Sequence, residues 1–207
     1  RRTARERAAD ASPATTQRLA KRLVDDPLDA LAHLYARVTP AIHAYASLRL
    51  GERWLGPEDI VAEVWCRVSG HLADYDPSRP FRGWVFGFAQ RVVKEAQRAL
   101  ARSRTLDLRP KDGEATSIMS LIPAAITSVS ARVAHDEGIR RFVRWVRDEL
   151  SEYEREVLLL RGIQGRALAD VAKALGRTER AVTVCWARIL AKVVARKAPP
   201  DVLDPGA

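Results

Sequence analysis

Apolar residues recur every three or four positions along most of this chain, and glycines and prolines cut the pattern into helix-sized pieces. That period predicts an all-α protein. The most informative piece is Asp74–Arg104. Pro77 and Pro80 keep its start in a loop, because proline cannot continue a helix. Trp84, Val85, Phe88, Val92 and Ala96 then form one apolar helical face. Arg91, Lys94, Arg98 and Arg102 return at the same spacing on another face, opposed only by Glu95. A core-facing stripe, a cationic stripe and aromatics at the helix start suit a phosphate backbone beside unpaired bases. Taken alone, the stretch fits a solvated Arg/Lys face with Trp84 and Phe88 in the core equally well.

Charge narrows the partners. The formal net charge is +9 over 207 residues, which favours a polyanion. No apolar run approaches the length that spans a bilayer, and the first residues lack the apolar core of a signal peptide, so a cytoplasmic protein without membrane insertion is expected. The basic positions lie over patterned core helices rather than on one isolated amphipathic segment, which argues against a membrane surface. Cys66 and Cys185 stand in no CxxC or CxxH arrangement, and His33, His43, His71 and His135 supply no metal-ligand spacing. Two buried free thiols in a reducing compartment, no metal and no cofactor are therefore expected. There is no glycine-rich phosphate loop, HExxH or nucleophile elbow, so no enzyme is expected. The chain begins at Arg1 and Met119 is its only methionine, so the initiator end is expected to be missing.

In order, residues 1–27 read as a basic, loose or partly helical arm, more simply a solvated tail. From Leu28, the residues Leu31, Leu34, Tyr35, Val38 and Ile42 share a face, Pro40 marks a break or kink, and Gly51 is a helix stop. Pro57 opens the next helix with Glu58 and Asp59 at its positive end, and Gly70 closes it. Its outward Asp59, Glu63 and Arg67 make either a solvated ladder or a charged docking surface, with the ladder favoured on the residues alone. Residues 105–134 are rich in Pro, Gly, Ser, Thr and Ala and read as a flexible interdomain linker. A second domain, 135–197, follows. Ser151–Glu154 is a capping box for a helix that carries Val157, Leu158 and Leu160 and is closed by Gly162. Leu168–Leu175, a turn at Gly176, a cap at Thr178 and a last helix with Val182, Trp186, Ile189 and Val193 inside make a helix-turn-helix. Its outer positions are Glu179, Arg180, Thr183, Ala187 and Arg188, with Lys192 further along. Small and polar side chains at that end are what a major groove admits, although a plain packing hairpin has the same pattern. The tail 198–207 is too short to be a regulatory domain.

PEDIVAEVWCRV followed by DYDPSRPFRGWVFGFAQRVV resembles the DxxDxxQxxFxxV, loop and FRxWLxxIAxN of one family. LSEYEREVLLLRG and LADVAKALGRTERAV resemble its LPxxxRxVxxLRxxxGxSxxEIAxxLGxSxGTV. That family is the extracytoplasmic-function (group IV) sigma factors of bacterial RNA polymerase, of the sigma-70 family. The resemblance covers residues 28–104 and 136–196 and implies two small helical domains, sigma domain 2 over 28–104 and sigma domain 4 over 135–197. It implies that Asp59, Glu63 and Arg67 dock on the β′ clamp helices of core polymerase, that the second domain meets the β flap, and that an anti-sigma factor can hold the protein. It places Tyr75, Asp76, Ser78, Arg79 and Phe81 around a flipped base of the minus-ten element, with Arg82, Trp84, Arg91, Lys94 and Arg98 on the melted strand. It places Arg177, Thr178, Glu179, Arg180, Thr183 and Arg188 on the duplex minus-thirty-five element. Ala62 stands where the family usually has Gln, and Gly87 near its Arg. AVTVCWARIL replaces TVKSRLHRAR, so Thr183 and Cys185 stand for basic residues and contacts there are lost.

Two other functions fit parts of the chain. A dimeric helix-turn-helix regulator binding an operator accounts for the second domain and leaves Asp59–Arg104 without a purpose. A nucleic-acid enzyme would need Glu58, Asp59 and Glu63 as metal ligands, and three acids on one helix without a second cluster support that weakly.

Overall fold

The computed structural model describes residues 13–23, 27–51, 56–102, 129–195 and 202–203. The described residues form helices and turns only, as the apolar period requires. Helix α1, Pro13–Lys21, lies in the segment expected as an arm, and it packs on the next helix with Thr16 and Ala20 buried. Residues 1–12 of that arm lie outside the described residues.

Helix α2, Pro27–Leu50, runs through Pro40 without ending, although proline removes one ladder bond there. It stops at Gly51, whose φ of 75° is the left-handed conformation glycine adopts cheaply. Helix α3, Pro57–Gly70, starts with proline in its first turn and buries Ile60, Val61, Val64, Trp65 and Val68. The Trp65 indole donates to Thr39 Oγ1 on α2 at 3.0 Å, so its polar edge is satisfied inside the core. A 3₁₀ turn at Leu72–Asp74 leads through the proline loop to helix α4, Phe81–Arg102, which packs on both α2 and α3. Val85, Phe88, Val92 and Ala96 are buried as expected, and Phe86, Ala89 and Val93 widen that face.

Helix α5, Val129–Glu149, begins within the expected linker; the rest of 105–134 lies outside the described residues. Ser151 caps helix α6, Glu152–Val157, in the expected box: its hydroxyl accepts from the Glu154 N–H, and the Glu154 carboxylate accepts from the Ser151 N–H. The expectation that Gly162 closes this helix is corrected. The backbone widens into a π turn, Leu158–Ile163, in which the Gln164 N–H reaches back to Leu159 O at 3.0 Å. Gly162 is needed for space instead, since a Cβ there would stand 2.8 Å from Trp186 and 3.0 Å from Leu203. Helix α7, Leu168–Leu175, ends at left-handed Gly176, and helix α8, Glu179–Ala195, starts where Thr178 Oγ1 accepts from the Ala181 N–H at 3.3 Å.

The two helical modules touch, and their buried side chains form one apolar cluster. Helix α5 lies against α2, where the Arg147 guanidinium donates to Ser47 O at 2.6 Å. Arg49 grips Glu156 with two bonds of 2.6 and 2.8 Å. Arg82 donates to Ile163 O and Val202 O, both at 2.8 Å, and Gln90 donates to Gln164 Oε1 at 2.8 Å. Ile163 ends the π turn, so Arg82 meets the negative end of a helix dipole. The C-terminal tail contributes Val202 and Leu203, both buried. No helix among the described residues is long and apolar enough to cross a membrane.

Candidate nucleic-acid interface

The loop before α4 is built by short-range bonds. The Asp76 carboxylate accepts from the Ser78 N–H at 2.9 Å, and the Arg79 N–H donates to Asp76 O at 3.0 Å. The Ser78 bond holds the exposed Asp76 carboxyl below its ordinary pKa. Tyr75 is inside rather than out: its hydroxyl donates to Arg79 O at 2.7 Å, and burial pushes its pKa up. Phe81 is fully buried against it, edge to face at 5.2 Å. Neither ring offers a free face to a base in this arrangement. They form the floor of the loop, while Asp76, Ser78 and Arg79 are exposed.

A residue that sequence reasoning missed holds this loop. Gln17, on α1, donates to Pro77 O at 2.6 Å and Arg79 O at 2.9 Å, and accepts from the Phe81 N–H at 3.1 Å. It thereby satisfies a first-turn N–H of α4 that has no partner within the helix. No local signal marks a glutamine in a polar segment for that job.

Trp84 is half-buried and links the loop to the helix face. Its ring lies 5.0 Å from Tyr75, 5.8 Å from Phe81 and 5.1 Å from Phe88. The Arg91 guanidinium sits over Phe88 at 5.4 Å. At roughly 100° per residue, Trp84, Arg91, Lys94 and Arg98 fall on one side of α4. The three cations there are exposed. The resemblance groups Arg82 with them. Arg82 is about half a turn away, and its guanidinium is held by the second module. Adjacency to Trp84 in the chain does not give a shared face.

On α3, Arg67 bonds to Glu63 at 2.6 Å and to Glu95 of α4 at 3.0 and 2.7 Å. The solvated ladder is therefore real over Glu63–Arg67, and it also ties α3 to α4. Arg67 holds the Glu95 carboxyl below its usual range, and the ion pair offsets that acid's charge beside the cationic face. Asp59 is exposed. The expectation of two buried thiols is corrected by half, because Cys66 points outward and is exposed, whereas Cys185 is buried. No group of three or more His, Cys, Asp or Glu among the described residues could hold a metal.

On α8, Val182, Cys185, Trp186, Ile189 and Val193 face inward. Burial pushes the Cys185 thiol pKa up, and the side chain is 7% exposed. Arg177, Thr178, Glu179, Arg180, Thr183 and Arg188 are exposed. The Thr183 hydroxyl is already committed as a donor to Glu179 O at 2.8 Å. Lys192 donates to Glu154 at 2.8 Å, which holds that carboxyl below its ordinary pKa. Val184, missed in the outward set, is 46% exposed beside a concavity that Ser151, Thr178, Arg180 and Arg188 also line.

Residues 34–103 match the Sigma-70 region 2 family. The chain is 30% identical to the ECF RNA polymerase sigma factor ShbA of Streptomyces griseus over 190 residues, 86% of this chain and 92% of that protein. It is 27% identical to the RNA polymerase sigma factor NccH of Alcaligenes xylosoxydans xylosoxydans over 183 residues, 88% of this chain and 95% of that one. It is also 27% identical to the ECF RNA polymerase sigma factor SigD of Mycobacterium tuberculosis over 174 residues, 80% and 76% of the two chains. No solved structure matches the chain at a comparable level.

Proposed function

This chain belongs to the ECF RNA polymerase sigma factors, and on that premise we propose how it meets its polymerase and its promoter. It is an alternative sigma factor of transcription initiation, with core RNA polymerase and promoter DNA as partners. Sigma factors regulate polymerase without being enzymes themselves.

The carrying observation is that loop residues Asp76, Ser78 and Arg79 are exposed and that half-buried Trp84 shares one side of α4 with exposed Arg91, Lys94 and Arg98. Unpairing and flipping a base costs on the order of a few kcal/mol, which polar loop groups and a ring edge can offset. The cations beyond the loop then follow the phosphates of the opened strand. Tyr75 and Phe81 support the loop from below, and Arg82 holds the two modules together in the free protein. Asp59 and Glu63 form the acidic part of a docking face for the β′ clamp helices, with Arg67 braced between Glu63 and Glu95. The second module presents α8 to the duplex minus-thirty-five element and meets the β flap, and an anti-sigma factor would hold the protein by covering the α3 face. The work is done in the cytoplasm.

An operator-binding regulator that never touches polymerase is not favoured, because the region 2 match covers the segment such a regulator leaves idle. The test is titration of core polymerase with labelled protein and with Glu63→Lys. Loss of binding by at least tenfold with unchanged helicity is expected; equal affinity would remove α3 from the docking face.

A further inference from the structure

The outward face of α8 carries an apolar side chain where a solvated helix would place a polar one. Among the described residues only Val184 and Val194 are large hydrophobics that remain exposed, and Val184 stands in the middle of the helix. Arg180 lies one turn before it and Arg188 one turn after. The three side chains make a stripe with a cation at each end and two methyl groups at the centre. All three line one open concavity of about 650 Å³, together with Ser151, Thr178 and Cys185. Glu154 also lines it, but its carboxylate is taken up by Lys192 and Ser151. Fold stability does not ask for valine here, since the buried side of α8 is complete without it.

We propose that Val184 reads the methyl group of a thymine in the duplex promoter element that α8 faces. The inference rests on the placement of α8 against duplex DNA given under Proposed function. The charge around Val184 suits phosphates: Arg180, Arg188 and Arg177 are exposed cations at this end of the module. Valine has neither donor nor acceptor, so it cannot answer the amino, carbonyl or ring-nitrogen groups of the major groove. The one apolar feature of the base edges there is the thymine C5 methyl. A cytosine at the same position would leave its amino group facing two methyls without a partner. Thr183 has a methyl of its own but lies about 100° round the helix from Val184, and Cys185 is only 7% exposed.

The test uses holoenzyme assembled from the full chain and core polymerase, on promoter fragments recovered by transcription from a genomic library. Each thymine of the upstream duplex element is replaced singly by uracil, which removes the methyl and nothing else. One position is expected to weaken binding about fourfold, the effect of one buried methyl-sized group. Val184→Ala and Val184→Thr, both at an exposed site, are expected to lose and to retain most of that sensitivity respectively. No uracil-sensitive thymine, or equal sensitivity in Val184→Ala, overturns the inference. If removing the whole upstream element leaves binding unchanged, it is the placement of α8 that fails. If Val184→Ala instead weakens binding to core polymerase without DNA, the stripe is a protein-docking surface and the inference is overturned.

Discussion

Arg82→Ala separates a residue that joins the modules from one that grips DNA. The guanidinium makes two charge-assisted bonds of 2.8 Å, to Ile163 O and Val202 O, and both acceptor residues are fully buried. A hydrogen bond to a charged group contributes roughly 1.5–3 kcal/mol net, and a buried carbonyl left without a partner costs about 1–3 kcal/mol. The two bonds share one side chain, so they do not add fully. A loss of about 2–4 kcal/mol is expected, a large share of the roughly 5–15 kcal/mol that holds a domain together. Arg82→Lys keeps the charge but not the fork, and should recover about half of that loss. Urea unfolding followed by far-ultraviolet circular dichroism reads both values. Unfolding of Arg82→Ala within about 0.5 kcal/mol of wild type, the size of an ordinary surface change, would refute that role. A variant that keeps its stability and loses promoter affinity would return Arg82 to the strand-gripping face.

Gln17→Ala removes the bonds to Pro77 O, Arg79 O and the Phe81 N–H; promoter opening is expected to fall severalfold while affinity for core polymerase stays the same, and unchanged opening would show that the loop holds itself. Glu154 has a lowered pKa, through Lys192 first and then Ser151, so its contribution is present above the ordinary glutamate pKa of about 4.3 and is lost as pH falls through the lower folded value. Glu154→Gln should therefore be less stable than wild type at neutral pH and converge with it in acid, as read by unfolding midpoints; parallel curves would exclude the linkage. A thiol reagent such as Ellman's should label Cys66 promptly in the folded protein and Cys185 only on unfolding, and two fast thiols would contradict the packing of α8.

The helices of this protein were legible because their signals are local. Pro57 at a first turn, the Ser151–Glu154 capping box, the left-handed Gly51 and Gly176, and Thr178 at the start of α8 each act within a few residues. What the sequence hid lies between segments distant in the chain. Arg82 looked like a neighbour of Trp84, yet its partners are Ile163 and Val202. Gln17 lay in a segment with the composition of a tail, and nothing near it announces the loop it holds. Gly162 read as a stop because glycine often is one, whereas its lack of a side chain makes room for Trp186 and Leu203. Val184 was within reach, since a spacing of four from both Arg180 and Arg188 puts it on the outward face.

As a sigma factor of transcription initiation, this chain is expected to bring core polymerase to a promoter and help open it. The most direct measurement is permanganate footprinting of a genomic promoter fragment with core polymerase, with and without the full chain. Reactive, unpaired thymines upstream of a new start site are expected only when both proteins are present, weakened by Trp84→Ala in proportion beyond its loss of stability. Folded protein that fails to bind core, or that protects a palindromic duplex in the absence of polymerase and opens nothing, would contradict it.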